Sequence, residues 1–142
     1  EAVELTSTAK IRGSGTVKAG GALDVEGATI GGSLTSTGAA LLRVCAATVS
    51  GHATVKGSSG SVVIGESSGC APSTISKEVS VKENKAGVSI VGNTLGASVV
   101  VTGNSGGTTV TANKVTKSLT VTGNAGSVTD SPNEVKGKSK LQ

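Results

Sequence analysis

Few residues in this chain are able to do chemistry: two cysteines, one histidine and nine carboxylates in 142 residues. Cys45 and Cys70 are separated by 24 intervening residues, without partners at metal-ligand spacing. A zinc site draws on several Cys and His together, which this chain does not offer. If the chain is exported, the two thiols are expected to form a disulfide. Closing a loop of that size contributes roughly 3 kcal/mol in the chain-entropy account. His52 stands beside the inward position of Ala53 and is expected at a solvated surface or corner. The carboxylates are Glu1, Glu4, Asp24, Glu26, Glu66, Glu78, Glu83, Asp130 and Glu134. Hydrolytic work on sugars needs carboxylates paired across a cleft. Asp24 and Glu26 are two apart but are placed differently relative to the wall, and no second pair lies above them. No convergent constellation emerges, so catalysis, a metal and a cofactor are not expected.

Composition narrows what could position such groups. Phe, Tyr, Trp and Met are all absent. Any core must be built from Val, Ile, Leu and Ala, which suits a narrow, layered interior. The richness in Val, Thr and Ser favours strands. Charged residues are only 15%, below the usual quarter of a globular chain. The net charge of +4 is mild, its basic residues scattered. Without aromatic rings there is no stacking platform for single-stranded nucleic acid, so nucleic-acid binding is not expected. No apolar run is long enough to insert in a membrane.

The chain repeats. VSIVGNTLGASVVVTGNSGG from Val88 is followed by TTVTANKVTKSLTVTGNAGS from Thr108 and by VTDSPNEVKGKSKLQ from Val128, a period of 20 residues. Working backwards, coils begin at Val62, Leu42, Leu23 and Val3, giving seven. The coil at Val62 is about six residues longer than its neighbours, with the excess around 65–73 where Cys70 and Pro72 lie. Stacking aligns aliphatic columns. One reads Val3, Leu23, Leu42, Val62, Val88, Thr108, Val128; another Ile11, Ile30, Val49, Ile75, Leu95, Val115, Val135. Ser36 and Thr108 are the interior exceptions, and Asp130 and Ser139 fall in such columns near the end. Period-two spacing, as in Leu119 and Val121, is strand spacing with alternate side chains inward. Three short strands per coil predict an all-β, three-sided parallel β-solenoid, right-handed by the crossover rule. The columns run through both halves, so residues 1–142 read as a single domain with the inserted loop. No coil can bury its inner face alone; stacking buries a continuous stripe.

The corners carry two further columns, Asn93, Asn113, Asn133 and Asn84, Asn104, Asn124. Asn tolerates left-handed turn conformations, and stacked amides can hydrogen-bond as ladders. The first three coils use Gly, Ala and Ser instead, as in Gly27-Ala28 and Gly38-Ala39. Outward Thr-x-Thr pairs such as Thr120 and Thr122 raise ice binding, but Lys18, Lys56, Lys82 and Lys140 interrupt those columns.

The segment TANKVTKSLTVTGN and the VTGN…GSVTDSPNEVKGKSKLQ run after it resemble the short repeats of secreted surface proteins of Gram-positive bacteria. The resemblance covers the last third to half of the chain. It implies export and a β-solenoid and brings no catalytic residues. A chain opening on Glu1 rather than Met fits a removed leader or simple trimming. The expected location is extracellular or at the cell surface.

A solenoid must protect its ends, because end coils expose unpaired strand edges. Here Val3 and Leu141 stand almost at the termini, with no amphipathic helix beside them. Head-to-tail stacking of copies would cover both faces and, being heterologous, would grow a filament. Val3, Leu5, Ile11 and Val17 form one expected contact face; Val128, Val135 and Leu141 form the other. In that register Glu134 meets Lys10, which attracts, and Lys136 meets Arg12, which repels. The expectation is a self-assembling extracellular filament subunit whose partner is itself. The alternative is a monomeric adhesin or surface-coat module whose outer wall binds a cell-surface or matrix partner.

Overall fold

Short β-branched runs cut by glycine every few residues cannot sustain long strands or helices. The computed structural model, which describes residues 2–142, accordingly contains 21 strands of two to five residues and no helix. Glu1 lies outside the described residues. The strands form three parallel sheets of seven, and each coil contributes one strand to each sheet. In the fifth coil these are Val88–Val91, Thr94–Leu95 and Val99–Thr102. The chain is thus an all-β solenoid of seven coils. Counted from the position in register with Ala2, the coils cover residues 2–21, 22–40, 41–60, 61–86, 87–106, 107–126 and 127–142.

Backbone pairing reproduces the sequence columns in register. Val3 pairs with Leu23, Leu23 with Leu42, Leu42 with Val62 and Val62 with Val88. Ile11 pairs with Ile30, and Leu95 with Val115. Period-two alternation sends these side chains into one continuous core from Val17 to Val121. Burying each Val, Leu or Ile contributes about 1.5–3 kcal/mol. The two interior exceptions sit in this core at a cost. Ser36 Oγ and Thr108 Oγ1 are buried without a hydrogen-bond partner.

The corners correct the turn-residue reading of the asparagines. For five of the six the left-handed position is the residue before: Gly92, Gly103 and Gly123, and also Glu83 (φ 55°) and Ala112 (φ 56°); Asn133 follows Pro132 instead. The Asn that follows turns its side chain inward, and Asn84, Asn93 and Asn104 are fully buried. Buried amides must be hydrogen-bonded, and these are. Asn104 Oδ1 accepts from the backbone N–H (3.0 Å) and the side-chain Nδ2 (2.8 Å) of Asn84. Its own Nδ2 donates to Val81 O at 3.2 Å and to Asn124 Oδ1 at 2.8 Å. Asn93, Asn113 and Asn133 repeat the pattern at the other corner. Each Oδ1 therefore caps a corner N–H one coil nearer the N-terminus.

Candidate assembly interface

At the N-terminal end the first coil leaves one edge of all three sheets without a partner among the described residues. Its inward side chains are small. Gly15 occupies the column filled above it by Leu34, Ala53 and Val79. A missing side chain in a terminal layer leaves a hollow, here an apolar recess of about 530 Å³ lined by Val3, Leu5, Ile11, Gly15, Val17 and Leu23. Val3 at its rim is 47% exposed, Leu5 and Ile11 are half-buried, and Val17 is 8% exposed at its floor. Val17 is thus already packed into the solenoid and offers the recess little free surface.

The C-terminal end is built differently. Leu141 is 42% exposed, while Val128 and Val135 are half-buried. Leu141 continues the column of Val17, Val55 and Val121 by its place in the repeat. Asp130, one coil after Val110, falls in an otherwise aliphatic column. Its Oδ2 accepts the Gln142 N–H at 2.7 Å. The Gln142 side chain accepts the Asn124 N–H at 2.8 Å and donates to Asn124 O at 2.6 Å. Gln142 therefore supplies the amide that the next rung of the Asn84–Asn104–Asn124 ladder would supply. Sequence columns exposed Asp130 as an irregularity but did not point to its bond with Gln142. The one available signal was an amide side chain at the end of an amide column.

Cys45 and Cys70 are joined in a disulfide, with their Cα atoms 5.0 Å apart. Cys45 points out of the aliphatic core, as its place after Val44 requires, yet it is fully buried because the inserted loop covers it. Residues 66–73 make that loop, tied by a short antiparallel bridge between Ser67 and Cys70. Arg43 clamps it from the side. Its Nη2 donates to Gly69 O at 2.9 Å while Nη1 donates to Asp24 Oδ1 at 2.8 Å. Glu26 reaches the same guanidinium at 3.6 Å. The strand Ala22–Glu26 runs through both acids, so period two places Asp24 and Glu26 on the same outer face, which corrects their assignment to different positions. The hydrogen bond to Asp24 is the main cause that raises the Arg43 pKa above its ordinary value. These carboxylates hold a loop in place and face no cleft. Ser73 closes the loop as a rung between two corner chemistries. Its Oγ accepts from Ala47 N at 3.1 Å and its N–H donates to Asn93 Oδ1 at 2.9 Å. Opposite Gly65, where the loop leaves its strand, any Cβ would strike Val91 O and Asn93 Oδ1. Glycine is thus required there both for space and for its φ of 92°.

His52 is exposed, at the corner between the second and third sheets. Among the described residues, no three His, Cys, Asp or Glu gather closely enough to hold a metal ion. In comparisons with known proteins, the chain matches no family model, no curated protein and no solved structure.

Proposed function

We propose that this chain is a structural subunit that stacks head to tail into an extracellular fibre. The observation that carries the reading is that each end leaves apolar surface uncovered in the columns of the repeat: the recess lined by Val3, Leu5 and Ile11 at one end and the exposed Leu141 at the other. Continuing the 20-residue register sets Leu141 of one copy over Val17, at the edge of that recess, and Ser139 over Gly15. The same step brings the strand Val128–Thr129 alongside Ala2–Leu5, and Glu134–Val135 alongside Lys10–Ile11. The joint would then repeat the parallel pairing between coils, with main-chain hydrogen bonds supplying much of the affinity. The disulfide is consistent with an oxidising, extracellular setting. Function in this reading lies in the ends, and the reading uses no catalytic group.

Sedimentation velocity over a wide concentration range tests it. The wild-type chain is expected to form concentration-dependent species much larger than 13.6 kDa. Leu141→Asp, which sets a charge against the recess, is expected to hold the protein monomeric with its thermal stability nearly unchanged, since Leu141 packs little within its own chain. Wild type that stays monomeric at every concentration would sink the reading.

The second reading, a monomeric adhesive or coat module, is favoured by the Asp130–Gln142–Asn124 clasp. An inward charge at a sheet edge discourages further pairing. Asp130→Val separates the two readings. It is expected to lower the assembly concentration if the ends join, and to leave a monomer if the outer wall is the functional surface.

A further inference from the structure

The charge of the solenoid is one-sided. The outer face of the first sheet carries no lysine, and its single cation, Arg43, is engaged by Asp24 and Glu26. The last two coils place Lys114, Lys117, Lys136, Lys138 and Lys140 on the second and third sheets and the corner between them, all exposed. None of these five makes a salt bridge among the described residues, and Glu134, cross-strand from Lys114, is the one carboxylate among them. The first coil carries Lys10, Arg12 and Lys18 on the same two sheets, also exposed.

Head-to-tail stacking would bring these two groups together. On the second and third sheets and the corner between them, eight cations and one carboxylate would lie within three adjacent coils, with Lys136 stacked directly on Arg12; Glu4 and Asp130 of the same coils belong to the first-sheet side. Three coils span about 10 Å along the axis at strand spacing. That is about one Debye length at 0.1 M salt, so the charges repel without strong screening. The joint that apolar contacts and strand edges favour is opposed by its own charge. A ligand of opposite sign laid along the strip reverses the sign of that effect.

We propose that a linear polyanion binds the lysine strip across the joint and drives end-to-end assembly; this rests on the head-to-tail reading above. Lysines are point charges on flexible stems and select for charge rather than for a planar group. With no aromatic side chain in the chain, base stacking contributes nothing, which favours a polyanion without bases over single-stranded nucleic acid. Successive joints in a fibre would repeat the strip along one side, so a long polyanion would engage several joints at once and gain from multivalency.

The probe is long-chain inorganic polyphosphate, with tripolyphosphate as a control that screens but cannot span joints. Assembly is followed by pelleting and negative-stain imaging at salt of about 0.05 M and about 0.5 M. At low salt, long-chain polyphosphate is expected to lower the concentration needed for fibres by about tenfold, and tripolyphosphate by much less. The double variant Lys117→Gln/Lys138→Gln, both exposed, is expected to lose most of that gain while forming fibres normally at high salt. Fibres that form equally well with and without polyphosphate would overturn the polyanion proposal and leave stacking intact. Amorphous pellets, or pelleting that persists in Leu141→Asp, would mean simple charge precipitation and would also overturn it. Polyphosphate bound to the chain with no fibres under any condition would overturn the head-to-tail reading together with it.

Discussion

The first three coils and the last three share one backbone path and fill its corners in opposite ways. Down one corner the inward residues run Ala9, Ala28, Ala47, Ser73, Asn93, Asn113 and Asn133; down the other they run Ala39, Ser58, Asn84, Asn104 and Asn124, with the exposed Gly20 at that place in the first coil. Both pass from small apolar residues through a serine to asparagine. The difference shows what a corner needs. Its backbone N–H points along the stack, and an Asn one coil on can cap it, whereas alanine can only fill space. The serines are where one solution is spliced to the other. Ser73 is satisfied on both sides, while Ser58 offers its N–H to Asn84 Oδ1 and leaves its own hydroxyl without a partner. The inserted loop and its disulfide lie at the same level as this change.

Breaking a rung should therefore be far more damaging in the C-terminal half. Asn104→Ala strands the Asn84 N–H and Nδ2 in a buried corner and takes one donor from Val81 O and one from Asn124 Oδ1, which keeps the backbone N–H of residue 104. It is expected to cost about 3 kcal/mol or more by chemical denaturation, at the upper end for a lost buried hydrogen-bonding group. Ala39→Gly at the equivalent corner position removes one methyl and should cost about 1 kcal/mol. Equal losses would refute the contrast.

The splice comes next. Replacing both Cys45 and Cys70 with serine should destabilise the chain by about 3 kcal/mol. In a stack where each coil touches only its neighbours, the damage should stay local. Hydrogen exchange is expected to quicken in residues 66–73 and the coils beside them, while the amides around Asn113 and Asn124 keep their protection.

Two smaller substitutions sharpen the picture within the laddered half. Thr108→Val replaces a buried, unpartnered hydroxyl with an isosteric methyl and should stabilise by about 1 kcal/mol, read as a raised unfolding midpoint. Ala112→Gly relieves a left-handed backbone at φ 56°. Glycine also loses more freedom on folding, so the net gain should be about 0.5 kcal/mol.

The aliphatic columns, the coil count and the long fourth coil were legible in the sequence because each follows from local alternation and a fixed period, and the Cys45–Cys70 pairing because the chain has just these two cysteines. The asparagine columns were legible as columns but not as inward rungs. Turn propensity accounts for Asn at a corner equally well, and only the paired contacts of Asn104 with Asn84 and Asn124 decide its direction. Burial of Cys45 depended on where a non-repeating loop folds, and the shared face of Asp24 and Glu26 on how far one strand extends. The Gln142 clasp joins residues 12 and 18 apart through side chains alone, outside any repeat. The end faces were legible as apolar positions, while the recess over Gly15 required seeing how little the first coil fills.

Electron microscopy of the purified chain at rising concentration tests the central claim, that the ends join, most directly. The account predicts thin, unbranched fibres whose axial repeat is about 34 Å, seven coils at strand spacing. Compact single particles at every concentration, with or without added salt, would contradict it.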